Sequence, residues 1–226
     1  MISFGLITEG LTDQIVIENI LAGYFNSPDL DIRQLQPQRD KDNENKSTYG
    51  GWTLVFNYCK SRDFQEALQF IDYIIIQIDT DVSELKHYNI RQQDENGKLT
   101  PQQLIEKVIE KFRGAWGDDF YSKYQQKIIF AISVDFIECW LLPLYYTDSR
   151  KAKITNCLDT LNRELAKKHN FTIDAKAKNP EYYRIISKPY RKHKVLIKHY
   201  ADNPSLKTFI EQIQSRDIKI GGEEDW

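Results

Sequence analysis

Histidine and sulfur are scarce in this chain, with four His, three Cys and one Met among 226 residues. The cysteines (Cys59, Cys139 and Cys157) are odd in number, far apart and set in apolar or helical surroundings. A reduced, cytoplasmic protein is therefore expected. No His or Cys spacing matches a zinc site, and Ser133 has no neighbouring His to activate it, so zinc-hydrolase and serine-hydrolase chemistry are set aside. No apolar run nears the ~20 residues of a membrane span. The N-terminus, MISFGLITEG, has no basic stretch ahead of its apolar run and does not read as a secretion signal. A Walker A motif is missing, so the chain has no phosphate-binding loop of that kind. Excess positive charge is missing too: the net charge is −2. Contact with nucleic acid would have to come from a local patch. There is no internal repeat.

What is present is core-forming material, 41% hydrophobic and 12% aromatic, enough for a packed domain. Residues 2–7 read as a short buried strand. A helix follows over about 12–25, with Val16, Ile17, Ile20, Leu21 and Tyr24 on one face. Residues 31–36 read as a second strand ending at Pro37, and 38–50 as a polar, exposed loop. Trp52, Val55, Phe56 and Cys59 space as a helix, and Phe64, Ala67, Leu68 and Ile71 continue the period. Residues 73–78, with three successive isoleucines, form a strand buried on both faces. Strand, helix, strand, helix, strand is the pattern of a parallel α/β sheet.

Residues 83–126 interrupt that pattern. Asn96-Gly97 marks a turn, and Thr100, Pro101 and Gln103 form a helix start with a reciprocal cap; the helix is expected to run to about Phe112. Residues 127–133 are the fourth core strand. Residues 135–145 read as helix, kinked or ended by Pro143. Further helices are expected over 154–168 and after the Asn203-Pro204 cap, with 172–180 a polar linker and a loose tail from 221. The chain thus divides into an α/β core over 1–146, with a helical insertion at about 83–126, and a helical C-terminal extension over 147–226.

The chemistry lies in carboxylates placed just past the strands: Glu9 after the first, Asp79 and Asp81 after the third, Glu138 after the fourth. A parallel sheet brings all its C-terminal strand ends to one edge, where ligands bind. Asp79 and Asp81 are two apart, so in extended chain both side chains point the same way. Carboxylates so close repel each other unless a cation lies between them, and all-oxygen ligands favour Mg²⁺ or Mn²⁺ over zinc. A lone carboxylate after a strand is more often a helix cap or a turn residue, and that reading applies first to Asp13. Acids alone would repel a polyanion. The basic complement lies in 181–200, where Arg184, Lys188, Arg191, Lys192, Lys194 and Lys198 are interleaved with Tyr182, Tyr183, Tyr190 and Tyr200. Such a patch can hold phosphates and stack bases, or can be a solvated face with its tyrosines packed inward.

The motif Glu9-Gly10-Leu11-Thr12-Asp13, followed by Ile78-Asp79-Thr80-Asp81, resembles the TOPRIM domain shared by topoisomerases, bacterial primases and the OLD nucleases. Ile137-Glu138-Cys139-Trp140-Leu141-Leu142 is similar to a later acidic motif of small stand-alone TOPRIM-like proteins of the domain-of-unknown-function 4276 type. Asn203-Pro204-Ser205 with Phe209 resembles the ending of that group. The resemblance implies a TOPRIM-like, mainly parallel four-stranded sheet flanked by helices. It implies Glu9 as metal ligand or general acid/base, Asp79 and Asp81 as metal ligands, Asp13 as a possible ligand of a second metal, and Glu138 as the late carboxylate. Phe136 stands where many relatives carry a further glutamate, and Asp135 is the nearest substitute. The implied activity is Mg²⁺- or Mn²⁺-dependent cleavage of DNA or RNA in prokaryotic antiviral defence, beside a separately encoded ABC-type ATPase. The competing expectation is a non-catalytic module that binds nucleic acid or regulates a partner. A lysine near the metals could stabilise phosphorane charge, with Lys188, Lys192 and Lys194 the candidates. The substrate and the oligomeric state stay open.

Overall fold

The computed structural model describes residues 1–38 and 51–220. The expected loop at 39–50 and the tail from 221 lie outside the described residues. Strand β1 (Ser3–Ile7) is buried at every position, followed by helix α1 (Leu11–Tyr24). Then come β2 (Asp31–Gln36), α2 (Trp52–Tyr58), α3 (Arg62–Phe70) and β3 (Tyr73–Asp79). A small hairpin, β4 (Gln93–Asp94) and β5 (Gly97–Lys98), precedes α4 (Pro101–Trp116) and α5 (Asp118–Tyr124). Strand β6 (Ile128–Ser133) completes the sheet. The rest is α6 (Cys157–Lys168), α7 (Pro180–Ser187), α8 (His193–His199) and α9 (Pro204–Gln214), joined by short 3₁₀ turns.

The main sheet is four-stranded and wholly parallel, in the order β2-β1-β3-β6. Its faces belong to two separate cores. One joins α1 and the C-terminal helices to Phe4, Leu6, Ile75, Ile129 and Ala131; the other joins α2, α3 and α4 to Ile7, Ile74, Ile76, Ile78 and Phe130. Alternating side chains of each strand face opposite layers, so fully apolar strands need both layers. Helix α1 and the C-terminal helices accordingly cover one face together, α9 against β6 and α7 and α8 against α1.

The expected cap of α4 is present in full: Thr100 accepts from the Gln103 N–H at 3.3 Å, and the Gln103 side chain accepts from the Thr100 N–H at 2.9 Å. The helix continues past Phe112 because Trp116 lies one turn on and joins the Phe112 and Phe64 rings; Gly117, at φ 83°, ends it. Residues 137–144 form a 3₁₀ helix rather than an α-helix. Pro143 has no N–H to donate and its ring crowds the preceding turn, which an α-helix would not accommodate without a break. Strand β6 is buried although it is a sheet edge. Gln212 of α9 serves as its missing neighbour, donating to the Phe130 carbonyl and accepting from its N–H, both at 3.0 Å. Gly23 admits the closest helix contact: a Cβ there would stand 1.8 Å from the Tyr190 carbonyl oxygen.

The expectation of three reduced cysteines is corrected. Cys139 and Cys157 form a disulfide across 18 residues, and Cys59 is the free, buried one. This removes the argument on which a cytoplasmic location rested. Among the described residues no helix is long and apolar enough to cross a membrane.

Titrating thiols in unfolded, non-reduced protein is expected to find Cys59 alone; three reactive thiols would contradict the pairing. Replacing Cys139 and Cys157 by Ser is expected to cost about 3 kcal/mol of stability, the loop-closure contribution of a crosslink of this span, measured by denaturant unfolding.

Candidate metal centre

Strand register decides which carboxylates meet. Ile7 is level with Ile76, and Asp79 with Ser133. Extending those alignments sets Glu9 beside the end of β3, and Asp81 beside Asp135. The chain leaves β1 for β2 on one side and reaches β3 on the other. The strand order therefore reverses between β1 and β3, and a crevice opens at such a point outside the carboxyl ends. Glu9 and Asp79 stand on its two sides.

They are bound together directly. Glu9 Oε1 accepts from the Asp79 N–H at 2.7 Å, and the Glu9 N–H donates to Gln77 Oε1 at 3.1 Å. Gln77 Nε2 in turn donates to Asp79 Oδ1 at 2.8 Å. Gln77 is fully buried in an otherwise isoleucine-rich strand, and this pair of contacts accounts for it. The Tyr88 hydroxyl donates to the Asp79 carbonyl at 3.0 Å. Asp13 lies in the first turn of α1. Its place there suits a carboxylate at a helix N-terminus, and its Oδ1 is buried with no partner.

Glu138 comes from the 3₁₀ helix and is completely buried. The C-terminal cap motif holds that helix in place. Trp140 Nε1 donates to Ser205 Oγ at 2.8 Å, Ser205 Oγ donates to Asn203 Oδ1 at 3.0 Å, and Asn203 Nδ2 reaches the Cys139 carbonyl at 3.3 Å. The two sequence motifs at 137–142 and 203–209 are thus one structural unit, with Trp140 stacked on Phe209. Glu138 accepts from the Tyr183 hydroxyl and forms an ion pair with Lys178 at 2.8 Å. Its Oε2 has no partner.

Lys178 is the site residue that sequence reasoning missed. It lies in the supposed polar linker, whereas the candidates Lys188, Lys192 and Lys194 are exposed on the outer face of α7, α8 and the turn between them. Arg184, Arg191 and Lys198 are exposed there as well. The tyrosines divide. Tyr183 and Tyr190 are core residues, Tyr182 stacks on Phe171, and the stacking platform expected for bases shrinks accordingly. Asp135 is mainly structural: at φ 69° its carbonyl accepts from the Thr80 and Asp81 N–H groups, at 3.1 and 3.2 Å.

The electrostatics follow from burial. Desolvation, with Asp13 and Asp81 nearby, pushes Glu9 up to about 8 despite the Asp79 N–H; burial and Glu138 push Asp13 up to about 6. Asp79 is raised well above its ordinary range by burial, Asp13 and Glu9. Asp81 is raised as well, chiefly by desolvation. Glu138 goes the other way: burial opposes its charge, but Lys178 and Tyr183 outweigh it. Excess negative charge among all-oxygen donors, with Asp13 Oδ1 and Glu138 Oε2 unpartnered, fits a hard divalent cation such as Mg²⁺ or Mn²⁺. The oxygens are not drawn tight. Among the described residues, three ligand atoms lie within 4.8 Å of one another only at Asp135, Cys139 and Cys157, whose sulfurs are joined in the disulfide. Comparison with protein-family models, curated proteins and solved structures finds no match.

Glu9 has an ordinary value of 4.5 and stands near 8 in the fold. The metal-free fold therefore holds more protons than the unfolded chain across that window, and stability falls as pH rises through it. Asp13 acts in the same direction up to about 6. The melting temperature of metal-free protein is expected to drop between pH 6 and pH 8, and Glu9→Gln, neutral throughout, to flatten the drop. An unchanged slope in that variant would assign the titration to another group.

Proposed function

We propose that the chain is a divalent-metal-dependent nuclease with a TOPRIM-type core, hydrolysing phosphodiester bonds of DNA or RNA. The observation that carries this reading is the gathering of Glu9, Asp13, Asp79, Asp81 and Glu138 at the strand-order reversal, with a buried lysine among them. Glu9, Asp79 and Asp81 would hold the ion, and Asp13 and Glu138 have open oxygens facing the same charge cluster. Bound there, Mg²⁺ or Mn²⁺ supplies Lewis-acid polarisation of a phosphate and a more acidic water.

The chain's own groups do the remaining work. Glu9 Oε1 is engaged by the Asp79 N–H, which leaves Oε2 as the oxygen that would hold the ion. The Lys178 ammonium is held charged: desolvation opposes the charge, but Glu138, Asp13 and Asp79 more than offset it. In this reading it would neutralise negative charge on a phosphorane. Helix α7 links the two functions: Tyr183 is turned inward to Glu138, while Arg184, and Lys188 just past the helix, are exposed and would meet a phosphate backbone. The resemblance of the motifs extends the proposal to antiviral defence beside an ABC-type ATPase. One observation favours the non-catalytic alternative, a module that binds nucleic acid or a partner: the spacing of the carboxylate oxygens, which no three of these acids close below 4.8 Å.

Purified protein incubated with DNA, RNA and tRNA is expected to cleave one class in Mg²⁺ or Mn²⁺. Glu9→Ala, or Asp79→Ala with Asp81→Ala, is expected to lower that rate by roughly a hundredfold or more. Cleavage unchanged in Glu9→Ala would reject the site. Retained binding without cleavage, even beside the partner ATPase, would favour the module.

A further inference from the structure

The Lys178 ammonium sits inside the acid cluster in a way that bears on how many ions the cluster takes. It contacts Glu138 Oε1 at 2.8 Å, and its charge is felt by Asp13 and Asp79 as well. Only 23% of its side chain is exposed, and Glu138 is exposed not at all. The segment that delivers it is pinned on both sides. Asn162 exchanges two hydrogen bonds with Ile173, at 2.8 and 2.9 Å, five residues before it. Asn179, immediately after it, caps α7 by accepting from the Glu181 N–H at 2.9 Å. A lysine on a free loop would swing out to water. This one is held with its ammonium in place, so it behaves as a built-in cation.

Two carboxylate oxygens of the cluster, Asp13 Oδ1 and Glu138 Oε2, are buried and unpartnered. They belong to the two acids nearest in charge to Lys178 and would be the natural ligands of a second divalent ion. A doubly charged ion there would lie against a fixed ammonium in a desolvated setting, where like charges repel strongly. We propose that Lys178 takes the place of a second metal, so that the chain binds one divalent ion, through Glu9, Asp79 and Asp81. Glu138 is neutralised by the ammonium instead. This rests on the metal-dependent reading above and assigns Lys178 as the residue that sets metal stoichiometry.

The test counts Mn²⁺ bound to metal-free protein by calorimetric titration and by loss of the free-ion paramagnetic resonance signal. Wild type is expected to saturate at one ion per chain. Lys178→Gln, which keeps a donor for Glu138 but no charge, is expected to take two, and Lys178→Arg to stay at one. Two ions in wild type would overturn the inference and leave the metal-dependent reading intact, a result that needs no variant to fold. One ion in Lys178→Gln, with folding verified by circular dichroism, would overturn it as well. No binding in either protein would reject the metal-dependent reading itself, and this inference with it.

Discussion

Burying carboxylates is the constraint around which this molecule is arranged. Moving an ion out of water costs several kcal/mol even after relaxation, and a buried charge without a partner destabilises by about 3–5 kcal/mol. Glu138 is wholly buried, and it stays ionised because Lys178 and Tyr183 face it. Glu9, Asp13 and Asp79 have no such dedicated cation. Their proton affinity rises instead. The site therefore holds protons, which the proposed divalent cation would displace.

The scaffold around these acids is built to hold them still. Gln77 ties Glu9 to Asp79 from inside the sheet. The Asn203-Pro204-Ser205 cap holds Trp140, and with it the 3₁₀ turn carrying Glu138. The Cys139–Cys157 disulfide fastens that turn to α6 one residue beyond Glu138. Asp135 tethers the segment after β3 to the end of β6 through its backbone. Rigid support from several elements is what a site needs if its ligands are to be placed before the ion or substrate arrives. The C-terminal helices are part of that support, because they pack on α1 and β6 and their segments also bring in Lys178 and Tyr183.

The basic helices have a narrower part than composition allowed. Half of the tyrosines that could have stacked on bases are spent on the core, where the Tyr190 hydroxyl donates to the Trp140 carbonyl at 2.5 Å. What stays outside is charge: Arg184, Lys188, Arg191, Lys192, Lys194 and Lys198. Charge of that kind positions a phosphate backbone without reading its sequence.

The sequence by itself determined the strands, most helices and the edge at which the acids gather. Hydrophobic runs of 5–7 residues and caps such as Thr100-Pro101 and Asn203-Pro204 are local signals, and the parallel order follows from the alternation of strands and helices. Glu9, Asp79, Asp81 and Glu138 were legible because each stands at or shortly after the C-terminal end of a strand. Gln77 leaves a trace in the sequence, a lone polar residue among isoleucines. Lys178 left none: a lysine in a polar stretch looks like any solvated lysine until the Asn162 and Asn179 contacts bring its segment back over Glu138. The disulfide was equally hidden, since 18 residues of separation say nothing about whether two sulfurs meet. Those pairings join segments distant in the chain, and only packing of the C-terminal helices against α1 and β6 decided them.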